Sequence, residues 1–241
     1  MPMVKDSLTV PKPNAWPEYF RKQADLARDS RLKRYFEAGV IDPQTPMRNV
    51  PMVALDFETT GLDPEAHGIV SIGMVPFSLD RIRCRNASHF IVKPRQDLSS
   101  ESIVIHGITH AAVEEAPDLD EILDVVLPAL AHQLVVVHYR QIERFFLDKA
   151  LLKRLNEHIV FPVIDTMALE ERILKMQQPR LSRWLSRPLP SLRLPDARER
   201  YGLPRYHLHH AMTDALATAE LLQAQMAHHF DPEMPVQSLW C

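Results

Sequence analysis

The stretch Ala-Leu-Asp-Phe-Glu-Thr-Thr-Gly-Leu, residues 54–62, decides how the rest of this 241-residue chain is read. Residues 52–58 alternate as a strand does and end in acids. Successive side chains of a strand point to opposite faces, so Asp56 and Glu58 point one way and Leu55 and Phe57 the other. Two carboxylates one period apart repel each other and resist burial, and a divalent cation with oxygen ligands is the natural compensation. An amphipathic edge strand that shows its acids to water carries the same pattern, so the pair alone leaves both readings open.

Downstream, residues 69–77 (I-V-S-I-G-M-V-P-F) and 88–93 (S-H-F-I-V-K) are rich in β-formers, and their short polar connections suit an antiparallel meander. Leu119, Ile122, Leu123, Val126, Leu127 and Leu130 then recur at helical spacing within residues 118–132, where Pro128 is expected to kink or break the helix. Residues 134–137 read as a buried strand, 140–156 as a helix, 159–164 as a strand and 166–176 as a helix. Residues 179–205, rich in Pro and Arg, read as a loop with a short helix on the substrate side, and 211–228 as the last helix. Upstream, residues 1–14 form a loose arm, and 17–38 read as helix, in one piece or two. Its basic side chains Arg21, Lys22, Arg28, Arg31, Lys33 and Arg34 mark either a solvated face or a contact for nucleic acid or a partner. Pro43, Pro46 and Pro51 mark a linker. Strands first, then strands alternating with helices, give an α/β class with a mixed sheet covered by helices. The chain divides into an N-terminal arm and helical extension over 1–48, a main domain over 49–230 and a C-terminal tail over 231–241.

Composition narrows the chemistry. Apolar residues make up 46% and charged ones 24%, which excludes wholesale disorder. Lys and Arg total 28 against 31 Asp and Glu, a formal charge of −3, which excludes a broadly basic coat protein. The greasiest run, residues 127–137, is too short to span a bilayer, so no membrane partner is expected. The first residues lack an apolar signal region, and Cys84 and Cys241 show no pairing pattern, so a reducing cytoplasm is expected. Only six glycines occur, and no G-x-G-x-x-G is present. Gly68 and Gly73 have P-loop spacing, but Met74 and Val75 follow where Lys and Ser or Thr belong. G-x-S-x-G, H-E-x-x-H and C-x-x-C are also missing, which leaves carboxylates and histidines.

A second cluster, H-H-A-M-T-D-A-L-A-T-A-E-L-L, spans residues 209–222. Positions five apart lie about 140° apart around a helix, so His209 and Asp214 cannot share one helical face. If both serve one site, His209 sits in the loop before the helix and Asp214 in its first turns. A histidine so placed suits a general base near neutral pH. Twelve histidines are present, most of them necessarily structural or exposed.

Taken in order, the two clusters resemble the DEDD exonuclease superfamily in its histidine-containing branch, which includes the proofreading epsilon subunit of bacterial DNA polymerase III. The first motif of that family, D-x-E-T-T-G-[LM], is matched by Asp56, Glu58, Thr59, Thr60, Gly61 and Leu62. Its last, H-x4-D-A-x-A-T-A, is matched by His209, Asp214, Ala215, Ala217, Thr218 and Ala219. Between them, H-G-I-T at 106–109 and I-D-T at 164–166 also fit. The resemblance covers roughly residues 50–228 and leaves 1–48 without a counterpart. The middle motif departs from the family's H-N-A-x-F-D: Tyr139 and Arg140 follow His138, and Glu143 stands at the aspartate position. A catalytic group displaced by about 1 Å can cost about 10²-fold, so the longer side chain bears on activity.

The resemblance implies a ribonuclease H-like fold, a mixed five-stranded sheet flanked by helices. It implies that Asp56, Glu58, Glu143 and Asp214 hold two divalent ions, Mg²⁺ or Mn²⁺, while His209 takes a proton from the attacking water. The reaction implied is 3′–5′ hydrolysis of the terminal phosphodiester of single-stranded DNA, or RNA, releasing nucleoside 5′-monophosphates. Thr59, Thr60, Leu62 and His106 would hold the 3′ end, and a DNA polymerase subunit is the candidate protein partner. Two other readings stay open: a binding module for nucleic acid or nucleotide with impaired catalysis, and an exoribonuclease for short RNA. The final V-Q-S-L-W-C, residues 236–241, vaguely resembles a sliding-clamp peptide with short spacing.

Overall fold

The computed structural model describes residues 9–95, 108–178, 188–206 and 209–241. Five strands form one sheet: β1 Met52–Thr59, β2 Ile69–Phe77, β3 Ser88–Ile91, β4 Leu134–Val137 and β5 Val163–Asp165. Their spatial order is β3-β2-β1-β4-β5. The first three form the antiparallel meander, and β4 and β5 join β1 in parallel. β1 thus lies at the centre. That position accounts for its nearly continuous burial, since a central strand covered on both faces has no water-facing side for most of its length.

Eight α-helices complete the described residues: α1 Trp16–Leu26, α2 Ser30–Glu37, α3 His110–Glu114, α4 Leu119–Leu130, α5 Gln141–Leu155, α6 Thr166–Gln177, α7 Leu194–Arg200 and α8 Ala211–His229. None of the described helices is long and apolar enough to cross a membrane. α8 packs along β1 and β2 and carries the second sequence cluster. The N-terminal helical region is a pair rather than one rod. Its break at Ala27–Asp29 is held by Glu157, whose carboxylate accepts the Arg28 and Asp29 N–H groups at 2.8 Å each, while Asp29 caps α2.

Three expectations need correction. Pro128 does not break α4: it lies in the last turn, where one backbone bond is lost, and the burial of Val126, Leu127 and Leu130 holds the turn together. The strand expected over 159–164 shifts to Val163–Asp165. Ile159, Val160 and Phe161 are buried, but side chains instead of a neighbouring strand meet the backbone of the first and last: Asp148 accepts the Ile159 N–H at 3.0 Å, and Arg144 donates to the Phe161 carbonyl at 2.8 Å. The third strand also ends two residues early, at Ile91.

The tail is part of the core. Backbone bonds join Met234 to Met47, Val236 to Thr45, and Cys241 to both sides of Val163 on the sheet edge. Val236, Leu239 and Trp240 are buried, and the Trp240 indole donates to the Pro13 carbonyl at 3.1 Å. These apolar side chains of the 236–241 segment are therefore spent inside the molecule and are not presented to a clamp. One hydrophobic cluster runs from Trp16, Phe20 and Phe36 through the sheet to Trp240, so the extension and tail pack on the main domain.

Candidate metal centre

β1 delivers the first two acids by simple alternation. Asp56 lies opposite Gly73 of β2, and Glu58 opposite Ser71, just before a register shift at Thr59 that ends the regular ladder. Gly73 explains how the third acid arrives. A Cβ built at Gly73 would sit 2.2 Å from the Ala211 carbonyl carbon and 2.4 Å from the Met212 nitrogen. The start of α8 therefore rests on the bare backbone of β2, directly across from Asp56. Asp214, in the first turn of α8, is thereby lowered onto the β1 acids. Ligand oxygens of Asp56, Glu58 and Asp214 all lie within 4.8 Å of one another.

His209 lies in the loop immediately before α8, exposed, with a left-handed backbone (φ +70°). Its N–H donates to Asp214 Oδ2 at 2.9 Å, which joins the loop to the acid although the two residues cannot share a helical face.

Glu143 occupies the first turn of α5 and is 2% exposed. It stands beside the carboxylate trio without belonging to the 4.8 Å group. Its charge is felt by Asp56, and it in turn feels Asp165 and Glu58. The helix that carries it is pinned on both sides. Asp165 accepts the Tyr139 and Arg140 N–H groups at 3.0 and 3.2 Å and pairs with the Arg140 guanidinium at 2.9 Å. Arg144 donates to the Phe161 and Cys241 carbonyls at 2.8 and 2.7 Å. Arg140, at a position that is small in the family pattern, is thus engaged with Asp165, and the turn before it holds Tyr139 at φ +86°.

The electrostatics of this group favour a cation. Burial first, and then the charges of Glu143, Asp214 and Glu58, push the Asp56 carboxyl well above the usual carboxylate range. Burial likewise raises Glu143 well above it, and raises Asp214, with Glu58 adding to the latter. Glu143 Oε2 and Asp214 Oδ1 are buried without a hydrogen-bond partner. Oxygen-only donors, mutual repulsion and orphaned lone pairs are the chemistry a hard divalent ion resolves, and these residues fit one.

The loop after β1 is built from its own side chains. Thr59 Oγ1 donates to the Gly61 carbonyl at 2.7 Å, and Thr60 Oγ1 accepts the Gly68 N–H at 3.0 Å. The His67 ring lies against Gly61, where a Cβ would be 2.4 Å from it. Glu65 is fastened to α5 by Lys149 at 2.5 Å, and Lys153 donates to its carbonyl at 3.0 Å. Leu62 projects outward, 65% exposed. His106 lies outside the described residues, while Thr109 of the same H-G-I-T run caps α3.

Sequence reasoning assigned no role at the site to Gly73, Asp165, Ser71 or His89. Ser71 Oγ meets His89 Nε2 at 2.8 Å beside Glu58, and the His89 ring packs on that of His210, 4.5 Å between centroids. Burial, and then His210, lower the His89 pKa, so it tends to the neutral form. A glycine in mid-strand was the available sequence signal for Gly73.

Comparison with known proteins bears on family and fold. A family model described as Exonuclease (RNase_T) matches residues 53–222. The chain is similar to the PolC-type DNA polymerase III of Thermotoga petrophila, 30% identical over 209 residues, which is 82% of this chain and 14% of that protein. It is also similar to the DNA polymerase III subunit epsilon of Rickettsia conorii, 31% identical over 53% of this chain and 57% of that one. The chain thus spans a small part of the first relative and little more than half of the second. In fold it resembles the nuclease domain of 3′hExo, a DEDDh family member bound to rAMP, with a TM-score of 0.59, 18% identity, and coverage of 76% and 94%. It likewise resembles exonuclease X in complex with 5′ overhanging duplex DNA, with a TM-score of 0.56, 24% identity, and coverage of 77% and 97%. With the family match across the span that holds Asp56, Glu58, Glu143, His209 and Asp214, the chain belongs to the exonuclease family.

Proposed function

We propose that the chain is a 3′–5′ exonuclease that removes nucleoside 5′-monophosphates from single-stranded nucleic acid, DNA in preference to RNA, using two Mg²⁺ or Mn²⁺ ions. The observation that carries this reading is the meeting of Asp56, Glu58 and Asp214 within 4.8 Å, the last two buried, with Glu143 beside them. Asp56, Glu58 and Asp214 would hold the ions, with Glu143 completing the set from α5. When bound, such ions supply positive charge to both the attacking and the departing oxygen of an in-line displacement. The four acids themselves set where that charge sits, and their burial keeps competing water away. His209, tied by its N–H to Asp214, accepts the proton of the attacking water on its ring. The hydroxyls of Thr59 and Thr60 are engaged within the loop, so they support its shape while its backbone meets the terminal nucleotide. Leu62, an exposed apolar side chain at the tip, rests against the last base.

The relatives named above suggest a polymerase subunit as partner. That one is named for a complex with rAMP makes RNA the alternative substrate. A second reading, binding with weak turnover, has one observation in its favour: Glu143 is outside the 4.8 Å group. The test uses 5′-labelled single-stranded DNA and RNA oligomers with Mg²⁺ and with Mn²⁺. A ladder shortening from the 3′ end supports the exonuclease reading, and the faster oligomer identifies the substrate. Tight binding with no shortening under any condition supports the second.

A further inference from the structure

Pro204 and Tyr206, a few residues before His209, are tied to α8 by side chains that take no part in the chemistry above. Arg198, on α7, is a cation whose side chain is only 3% exposed. Its Nη1 donates to the Ala217 carbonyl at 2.6 Å, and its Nη2 to the Pro204 carbonyl at 2.9 Å and Glu220 Oε2 at 2.7 Å. The guanidinium lies over the Tyr206 ring, 4.7 Å from its centre, and the Tyr206 hydroxyl donates to Glu220 Oε1 at 2.9 Å. Pro204 and Tyr206 belong to the loop that leads to His209. Ala217 and Glu220 belong to α8, three and six residues past Asp214, or about 4.5 and 9 Å along the helix. One buried guanidinium therefore stitches Pro204 and Tyr206 to the same helix that carries Asp214.

We propose that Arg198, Glu220 and Tyr206 form a clasp that positions His209 and affects turnover only through that imidazole. A buried ion pair adds little stability over apolar packing of the same volume; what it supplies is a fixed geometry. Here the geometry fixed is that of Pro204 and Tyr206 against α8. Three Cα–Cα steps of about 3.8 Å separate Tyr206 from His209, so anchoring Tyr206 confines the His209 backbone to within about 11 Å of it. On the far side, Asp214 Oδ2 holds the His209 N–H. A left-handed backbone at a non-glycine residue persists only where its surroundings impose it, and His209, at φ +70°, has its N–H held by Asp214 and lies three residues past the anchored Tyr206. Released at Tyr206, the loop relaxes and the imidazole leaves the water it must deprotonate, while the β1 acids and Asp214 stay in place. The clasp rests on the reading of His209 as general base.

The test is a double-mutant cycle. Tyr206→Ala removes both the ring beneath the guanidinium and the hydroxyl on Glu220, and Tyr206→Phe removes only the hydroxyl. Tyr206→Ala is expected to lower kcat on a single-stranded oligonucleotide about tenfold and Tyr206→Phe by less, with Mn²⁺ affinity unchanged in both. In a His209→Ala background the same substitutions change kcat less than about twofold, because groups that act through one another are not additive. Equal losses in both backgrounds overturn the clasp, as does an unchanged kcat in Tyr206→Ala. A parent chain that leaves the oligonucleotide intact overturns the exonuclease reading and the clasp together. An active parent indifferent to His209→Ala leaves the nuclease standing but overturns the base and its clasp.

Discussion

Gly73→Ala is the substitution that most sharply separates this site from a surface collection of acids. The new methyl carbon would lie 2.2 Å from the Ala211 carbonyl carbon, 2.3 Å from its oxygen and 2.4 Å from the Met212 nitrogen. Carbon atoms in contact settle at about 3.5–4.0 Å, so the first turn of α8 has to withdraw by more than about 1 Å. The obstructing atoms are backbone, and no side-chain rotation relieves them. Asp214 sits three residues beyond Ala211 and moves with that turn, away from Asp56 directly across the sheet. A displacement of about 1 Å in a catalytic constellation costs about 10²-fold, and overpacking of this kind costs about 1–3 kcal/mol of stability. Gly73→Ala is therefore expected to fold, melt a few degrees lower, bind Mn²⁺ more weakly and lose about two orders of magnitude in kcat/KM on a 5′-labelled oligonucleotide. Gly61→Ala provides the contrast. The atoms nearest its Cβ all belong to the His67 ring, the first at 2.4 Å, and a side chain gives way more easily than backbone, so its loss in kcat is expected to stay within about tenfold. A folded Gly73→Ala variant with parental kcat/KM and metal affinity would refute the idea that β2 sets the place of Asp214.

The remaining predictions concern charge and reach. Asp56, Glu143 and Asp214 have raised pKa values in the folded chain, so their ionisation opposes folding. The stability they permit is complete below the ordinary carboxylate pKa and is lost as pH rises through the raised values. Metal-free parent should therefore lose stability over that rise relative to Asp56→Asn, which differential melts at a series of pH values would show; parallel curves contradict it. Glu143→Asp is expected to lower kcat about tenfold or more, because the ties of Arg140 and Arg144 keep α5 from following the shorter side chain inward. Steady-state kinetics giving equal or faster turnover would show that the helix can move. Leu62→Ala should raise KM for an oligonucleotide about tenfold with kcat nearly unchanged, the pattern of a group that binds substrate and transition state alike. A fall in kcat at constant KM would contradict that.

Much of the site was legible because its parts obey short periodicities. Two-residue alternation put Asp56 and Glu58 on one face, and the 140° offset of His209 and Asp214 required the histidine to precede the helix if both serve one site, which is where it lies. The five strands were legible from β-rich runs, although β5 was displaced because Asp148 and Arg144 satisfy the backbone at Ile159 and Phe161. What stayed hidden depends on partners far apart in sequence. Nothing near Asp165 says that it caps the turn holding Tyr139, and nothing near Cys241 says that it pairs with Val163. Gly73 looked like half of a chance P-loop, and its use as a seat for α8 needs the helix to be present. Pro128 misled because propensity was weighed without the packing of the turn around it.

The most direct measurement on the central claim is a calorimetric titration of Mn²⁺ into the metal-free chain, repeated in buffers of different ionisation enthalpy. Burial and mutual repulsion make these carboxyls hold their protons to higher pH, and a bound ion favours the ionised form, so its entry is expected to release protons. Saturable binding with proton release in the parent, abolished in Asp56→Ala, is the predicted result. Absence of saturable binding in the parent, or the same isotherm in Asp56→Ala, would contradict the account.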